Sequence, residues 1–212
     1  TRAGGFTVIP NPNLGSEAAW SYEVGGQFVL SNLLLNSALF WNDYDDLIEG
    51  DFVTKRSVSV IQFQNFNHAR IRGAELEVNG SFWQRRLNFG LGYTYLDARE
   101  LERRNSQTGA NEKVDEPLAY RAKHLLSGNA TLTLGKFSLG FDSRYVGRIQ
   151  RVRVYEDDLR VSQKVTNLRV SARLNPVEIT LGASNVFHYN YTQVERNLEA
   201  PRSVALTTAI AF

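Results

Sequence analysis

Cysteine and methionine are both absent from the 212 residues, and proline occurs only five times. Without cysteine there is no disulfide framework and no thiolate metal site, a composition that suits passage through an oxidising periplasm. Without methionine, Thr1 is not an untouched translation start, and no charged and apolar pair of segments follows it as a signal peptide would. The expectation is a chain processed, engineered or cut from something longer. No stretch approaches the roughly 20 apolar residues that a membrane-spanning helix needs. Nor is there a block of one charge. The 24 basic and 22 acidic residues are dispersed to a net +2, which leaves nucleic acid no electrostatic footprint. Hydrophobic residues still make up 42%, which excludes disorder throughout. A mean hydropathy of -0.31 is compatible with a soluble fold. It is equally compatible with membrane-crossing strands, whose polar and apolar residues alternate.

What the chain does have is a period of two. Counting back from Phe212, Ile210, Thr208, Leu206 and Val204 share one face, and Ala211, Ala209, Thr207, Ala205 and Ser203 share the other. Large apolar side chains on one side and small or mildly polar ones on the other define a strand. The contrast recurs upstream. Leu87, Phe89, Leu91, Tyr93 and Tyr95 alternate with Asn88, Gly90, Gly92 and Thr94; Leu168, Val170, Ala172 and Leu174 alternate with Arg169, Ser171 and Arg173.

A soluble β-sandwich and a membrane barrel both produce such alternation, and the polar faces separate them. A sandwich turns its polar face to bulk water and enriches it in Lys and Glu. Here that face favours Gly, Ser, Thr and Asn, with Asp142, Arg144, Arg169, Arg173 and Glu178 among them, a mixture suited to a hydrated lumen. Trp20, Tyr22, Trp41, Trp83 and Tyr145 lie near strand ends, where an interfacial girdle places amphipathic rings.

Connections also alternate in length. Ser31-Asn32, Trp83-Gln84-Arg85, Gly135-Lys136 and Asn175-Pro176 are short turns, whereas polar segments near 43–57, 100–119, 152–160 and 189–200 are long. Outer-membrane barrels have short periplasmic turns and long outer loops. About nine strands follow, near 18–30, 33–43, 58–82, 86–99, 120–134, 137–151, 160–174, 177–188 and 202–212, each close to the ~10 residues of a tilted span. The third is too long for a simple span and is expected to rise above the membrane or to bulge near Gly73. An odd number of strands leaves an open edge, which lipid does not tolerate, so further strands are expected on the N-terminal side.

Local motifs then carry a family resemblance. Asn11-Pro12-Asn13-Leu14, with Glu17 and Trp20-Ser21-Tyr22-Glu23 after it, resembles the loop-and-strand entry of TonB-dependent outer-membrane receptors. Ile71-Arg72-Gly73-Ala74-Glu75-Leu76-Glu77 resembles that family's strand ending in Gly-x-Glu-x-Glu, and Gly92-Tyr93-Thr94-Tyr95-Leu96-Asp97-Ala98 matches another recurrent segment. Tyr120-Arg121-Ala122-Lys123-His124 resembles its strand entry, and Ala183-Ser184-Asn185-Val186-Phe187 with Tyr191 its penultimate hairpin. Ala200-Pro201-Arg202 and the strand to Phe212 match the close, where a terminal aromatic resembles the signal read by the barrel-assembly machinery.

The resemblance implies an all-β, antiparallel transmembrane barrel of about 22 strands with a plugged lumen. Residues 1–212 would form its C-terminal part, without the plug domain and the other ~13 strands. It implies a receptor in a Gram-negative outer membrane, surrounded by outer-membrane lipid. That receptor would take up a scarce small-molecule ligand, an iron–siderophore complex by default, with energy from the TonB complex acting through the N-terminal region. The competing readings are a complete small barrel acting as anchor or adhesin, and a soluble β-sandwich binding module.

No catalytic constellation, cofactor site or metal site can be assembled from the residues. His68, His124 and His188 all fall towards the outer side, and rim histidines with hydrogen-bond partners are the expectation over haem ligands. Asp43, Asp45, Asp46, Glu49 and Asp51 are rich in carboxylates, but their spacing fits no calcium loop. The charges between Glu100 and Glu116 are expected to form a solvated loop.

Overall fold

The computed structural model describes residues 2–3, 6–55, 58–104, 110–152, 160–194 and 197–210. They form strands β1 (Arg2–Ala3), β2 (Phe6–Ile9), β3 (Ala18–Leu30), β4 (Leu33–Lys55), β5 (Val58–Phe82), β6 (Leu87–Arg104), β7 (Asn111–Pro117), β8 (His124–Leu134), β9 (Phe137–Val146), β10 (Gln163–Leu174), β11 (Val177–Ser184), β12 (Thr192–Val194), β13 (Asn197–Leu198) and β14 (Ser203–Ile210). Nine of these, β3, β4, β5, β6, β8, β9, β10, β11 and β14, pair in that order as one antiparallel wall. Continuous pairing through a single sheet replaces the two packed layers of a sandwich. Among the described residues β3 pairs only with β4 and β14 only with β11, so the nine strands do not close on themselves as a small barrel would.

The pleat sorts the side chains as their period requires, because directly paired residues share a face. One face carries the row Phe89, Ala130, Phe141, Leu168 and Val204, and next to it Leu132, Leu139, Val170, Leu181 and Leu206. The other carries Asn79, Gly90, Asn129, Asp142 and Asn167. Leu206 on the apolar face is 70% exposed and Val24 67% exposed. An aliphatic surface of this extent is stable only against lipid or another apolar body.

All four short turns stand where the composition places them. Gly135 opens its turn at φ +59°, a conformation that costs glycine nothing. At the opposite end two polar segments depart from expectation. Of the segment 43–57, residues 43–55 are not a loop, since β4 runs unbroken to Lys55 and pairs with β5 as far as Lys55↔Val58. Much of 100–119 is likewise a hairpin of β6 with β7. These extensions rise past the end of the aliphatic rows, and their sequence alternates no apolar face, so their pairing leaves no hydrophobic signature.

The length of β5 is this elevation and not a bulge at Gly73. Register passes through Gly73↔Leu96 without a slip, and the irregularity falls instead between His68 and Ala69. Gly73 answers a different demand. A Cβ there would collide with the Tyr95 carbonyl oxygen and lie 2.6 Å from the Phe40 ring, so the glycine lets that ring lie against the strand. The only apolar core among the described residues also lies in the elevated part, where Ala69, Ala98 and Leu118 pack with Tyr44, Leu47, Ile71 and Leu96.

Candidate functional site: the luminal face and the outer rim

Across the polar face runs a ladder of side-chain hydrogen bonds. Gln27 Nε2 donates to Asn36 Oδ1 at 2.9 Å, Asn36 Nδ2 to Glu77 Oε2 at 3.1 Å, and Asn79 Nδ2 to Glu77 Oε1 at 2.8 Å. Asn167 Nδ2 donates to Asp142 Oδ1 at 2.8 Å, and Arg169 lies 3.4 Å from Asp142 Oδ2. Between these ladders lies an open groove of about 520 Å³ over Gly90 and Gly92, bounded by Glu75, Glu77 and Asn79 on one side and Asn129 and Arg144 on the other. One wall is acidic and the other basic, so the groove can hydrogen-bond water or a polar body lying along it. Glu75 reaches into it without a hydrogen bond to a described residue.

The outer rim is held by a second network. Glu100 is fully buried. Arg103 donates to both its oxygens, at 2.9 and 2.6 Å, and Arg151 Nη1 to Oε2 at 2.7 Å. Glu116 joins through Arg103 at 2.7 Å and Arg151 at 3.1 Å. Burial pushes the Glu100 carboxyl up, and the two guanidiniums outweigh it and hold the group below the usual glutamate range. The Arg103 guanidinium is pushed up, first by its hydrogen bond to Glu100. The segment expected as a solvated loop therefore contains a buried ionic centre. It ties β6, β7 and the stretch after β9 together, with Tyr120 N donating to the Arg151 carbonyl at 2.9 Å. Sequence reasoning missed it because Glu100 and Arg151 are 51 residues apart.

The motif residues have concrete roles. Asn11 closes an Asx turn onto Asn13 N at 3.0 Å and donates through Nδ2 to the Phe63 carbonyl at 2.9 Å. Just after Pro12 and Leu14, Gly15 N donates to Asn65 Oδ1 at 2.8 Å, and Glu17 accepts from Ile48 N at 3.0 Å. The motif thus docks the incoming chain on the β4–β5 extension. Asn185, 3% exposed and at φ 48°, ends β11. It donates from N to Asn167 Oδ1 at 2.9 Å and from Nδ2 to the Tyr189 carbonyl at 2.9 Å, and it accepts from Tyr189 N at 2.9 Å. Phe187 is 78% exposed. Phe212 lies outside the described residues.

The histidines stay apart. His68 Nδ1 meets Asp45 at 3.1 Å, and His124 contacts the Tyr93 hydroxyl at 2.9 Å and the Tyr95 ring on the apolar face. His188 turns back through its backbone onto Asn185. Among the described residues no group of three or more acidic or histidine side chains is placed to hold a metal.

A sheet with one lipid-compatible face, one hydrated face, short turns at one end and raised hairpins at the other is the wall of an outer-membrane β-barrel. A family model described as TonB dependent receptor-like, beta-barrel matches residues 1–186. The chain belongs to that family. It is part of a β-barrel in the outer membrane of a Gram-negative bacterium. The probable hemoglobin and hemoglobin-haptoglobin-binding protein 1 of Haemophilus influenzae is 29% identical over 137 residues, covering 53% of this chain and 13% of that protein. The copper transporter OprC superposes with a TM-score of 0.74 at 18% identity, over 94% of this chain and 32% of its own. The ferric-catecholate import receptor Fiu of E. coli K12 superposes with a TM-score of 0.73 at 20% identity, over 95% of this chain and 29% of its own. The chain thus spans about a third of these solved structures.

Proposed function

We propose that the chain forms the C-terminal part of a receptor wall and its outer loops, and that the receptor imports a scarce solute with energy from the TonB complex. On this reading the remaining strands and a plug belong to the N-terminal side, and the solute is an iron–siderophore complex. The observation that carries the reading is the open nine-stranded wall, unpaired among the described residues at β3 and β14, in a chain spanning about a third of its structural neighbours. An unclosed sheet leaves a row of backbone groups unsatisfied in lipid, and added strands remove that cost. The substrate class rests on the neighbours, among them a ferric-catecholate import receptor and the siderophore receptor PirA of Acinetobacter baumannii. The test is uptake of iron-55 in an iron-starved strain lacking its other receptors. Siderophore-bound iron should enter only with this gene and an intact TonB system. Uptake independent of TonB removes the energised mechanism, and growth on haem or hemoglobin but on no siderophore replaces the substrate.

A further inference from the structure

At the mouth of the lumen the wall holds cations that no described carboxylate answers. The pairing of β8 with β9 continues past the two strand ends, where Gly147 N donates to the His124 carbonyl at 2.7 Å. One residue further, the same register sets Lys123 opposite Arg148. Leu96 N donates to the Lys123 carbonyl at 2.9 Å and keeps this rung in the sheet. By the pleat it belongs to the luminal face, above the rungs Leu125↔Val146 and Ser127↔Arg144. Like charges directly opposite each other destabilise a sheet. Yet neither Lys123 nor Arg148 makes a hydrogen bond or ion pair with a described residue. Arg144 uses only Nη2, on Gln163 Oε1 at 3.3 Å.

The neighbouring carboxylates are already engaged. Glu100 and Glu116 hold Arg103 and Arg151, Glu49 faces Arg121 at 3.8 Å, and Asp142 holds Asn167 and Arg169. Glu75 stands on β5, with β6 and β8 between it and β9. The height of the rung follows from the strands. Arg148 is eleven residues above Phe137 at the periplasmic turn. At ~3.3 Å per residue and a tilt near ~40° it stands roughly 28 Å up, just past the ~25 Å apolar band. The rung is therefore at the outer mouth. Below it Leu125 and Val146 line the groove over Gly90 and Gly92 together with Arg144, an apolar step between two levels of positive charge.

We infer that Lys123, Arg144 and Arg148 form a subsite for an anionic metal chelate whose negative oxygens are carried on apolar rings, a catecholate or aryl carboxylate complex. The inference rests on the import reading and narrows its solute. Oxygens of the chelate accept from Lys123 and Arg148 at one level and from Arg144 at the other, and its rings lie on Leu125 and Val146. Guanidinium forks suit paired oxygens, and a cleft lined by one sign of charge concentrates the opposite ion. Glu75 and Glu77 on the far wall repel the anion and hold it to β8 and β9. A neutral or cationic hydroxamate chelate gains nothing from such a subsite.

The experiment is binding of three chelates by the complete receptor, purified in detergent. They are the iron(III) complex of a hexadentate tris-catecholate, which is a trianion, ferric citrate, which is an anion without rings, and ferrioxamine B, which is a cation. The tris-catecholate should bind about tenfold more tightly than ferrioxamine B, and salt should weaken it. Lys123→Gln with Arg148→Gln should lower that affinity about tenfold and flatten the salt dependence. Lys123→Arg with Arg148→Lys, which keeps both charges, should retain it. Relief of the like-charge rung should also raise the urea midpoint of the empty Gln variant, which separates lost binding from lost folding. Ferrioxamine B bound as tightly as the trianion, or no binding of the trianion, overturns the subsite, and ferric citrate bound as tightly removes the rings from it. If the subsite falls while ferrioxamine iron still enters with TonB, the import reading stands. Tight binding of the trianion without any TonB-dependent uptake removes that reading and leaves the subsite.

Discussion

Asn185 shows what a single motif residue does in this wall. Its side chain and backbone bridge Asn167, Tyr189 and Ala200 from a left-handed conformation, which asparagine tolerates better than most residues. Asn185→Ala leaves the half-buried Tyr189 amide and carbonyl without this partner and should lower stability by about 1–2 kcal/mol, read as a lower urea midpoint for the receptor in lipid vesicles. An unchanged midpoint would show that water replaces the side chain. Gly73→Val should also destabilise, by about 1–3 kcal/mol, because the Phe40 ring and the Tyr95 carbonyl occupy the space a side chain needs. Asn11, Gly73 and Asn185 stand out in the sequence as motif residues, but their contacts do not. Asn11 reaches Phe63, a partner 52 positions away, and no local pattern encodes such a pairing.

At the level of elements, alternation located what lipid enforces and little else. The spans of β3 and β5, and all four short turns, were readable because one face must be apolar. The ends of β4 and β6 were not, since past the aliphatic rows no apolar face alternates and the chain reads as loop. The face assignment is tested at β14, where Leu206 pairs with Leu181 and Thr207 with Thr180. Leu206→Arg should cost about 2–4 kcal/mol if near the midplane, and Thr207→Arg much less. Refolding into vesicles compares them; equal tolerance would remove the face assignment, and a greater cost for Thr207→Arg would mean that the faces are exchanged. The Glu100 network makes a separate prediction for the raised hairpins. Its pKa is depressed in the folded state, so its contribution is intact above the ordinary glutamate value of 4.5 and is lost as pH falls through the lower folded value. Hydrogen exchange around 98–104 and 116–122 should accelerate across that acidic window in the native protein. Glu100→Gln should bring the fast exchange to neutral pH, and a pH-independent profile in the native protein would remove the carboxylate from the account.

For the whole molecule the question is what lies between β14 and β3. The absence of cysteine provides a clean background for answering it. In a small barrel the two edges would be neighbours, separated by the ~4.8 Å of one strand spacing. In a wall of about 22 strands, some 13 others stand between them, and the edges face each other across a plugged lumen. Val24 on β3 and Leu206 on β14 both point to lipid from these edges. Paired as Val24→Cys with Leu206→Cys, or Val24→Cys with Thr208→Cys to sample a second register, they should form no intramolecular disulfide under oxidation, because bridged Cα atoms must lie within ~7 Å. A bridge formed in the membrane-embedded monomer would mean that the nine strands close on themselves. The hydrated groove over Gly90 and Gly92 would then line a narrow pore too small for a plug, and energised import through this wall would fail with it. Without a bridge, the open edges require the additional strands that the transporter reading supplies.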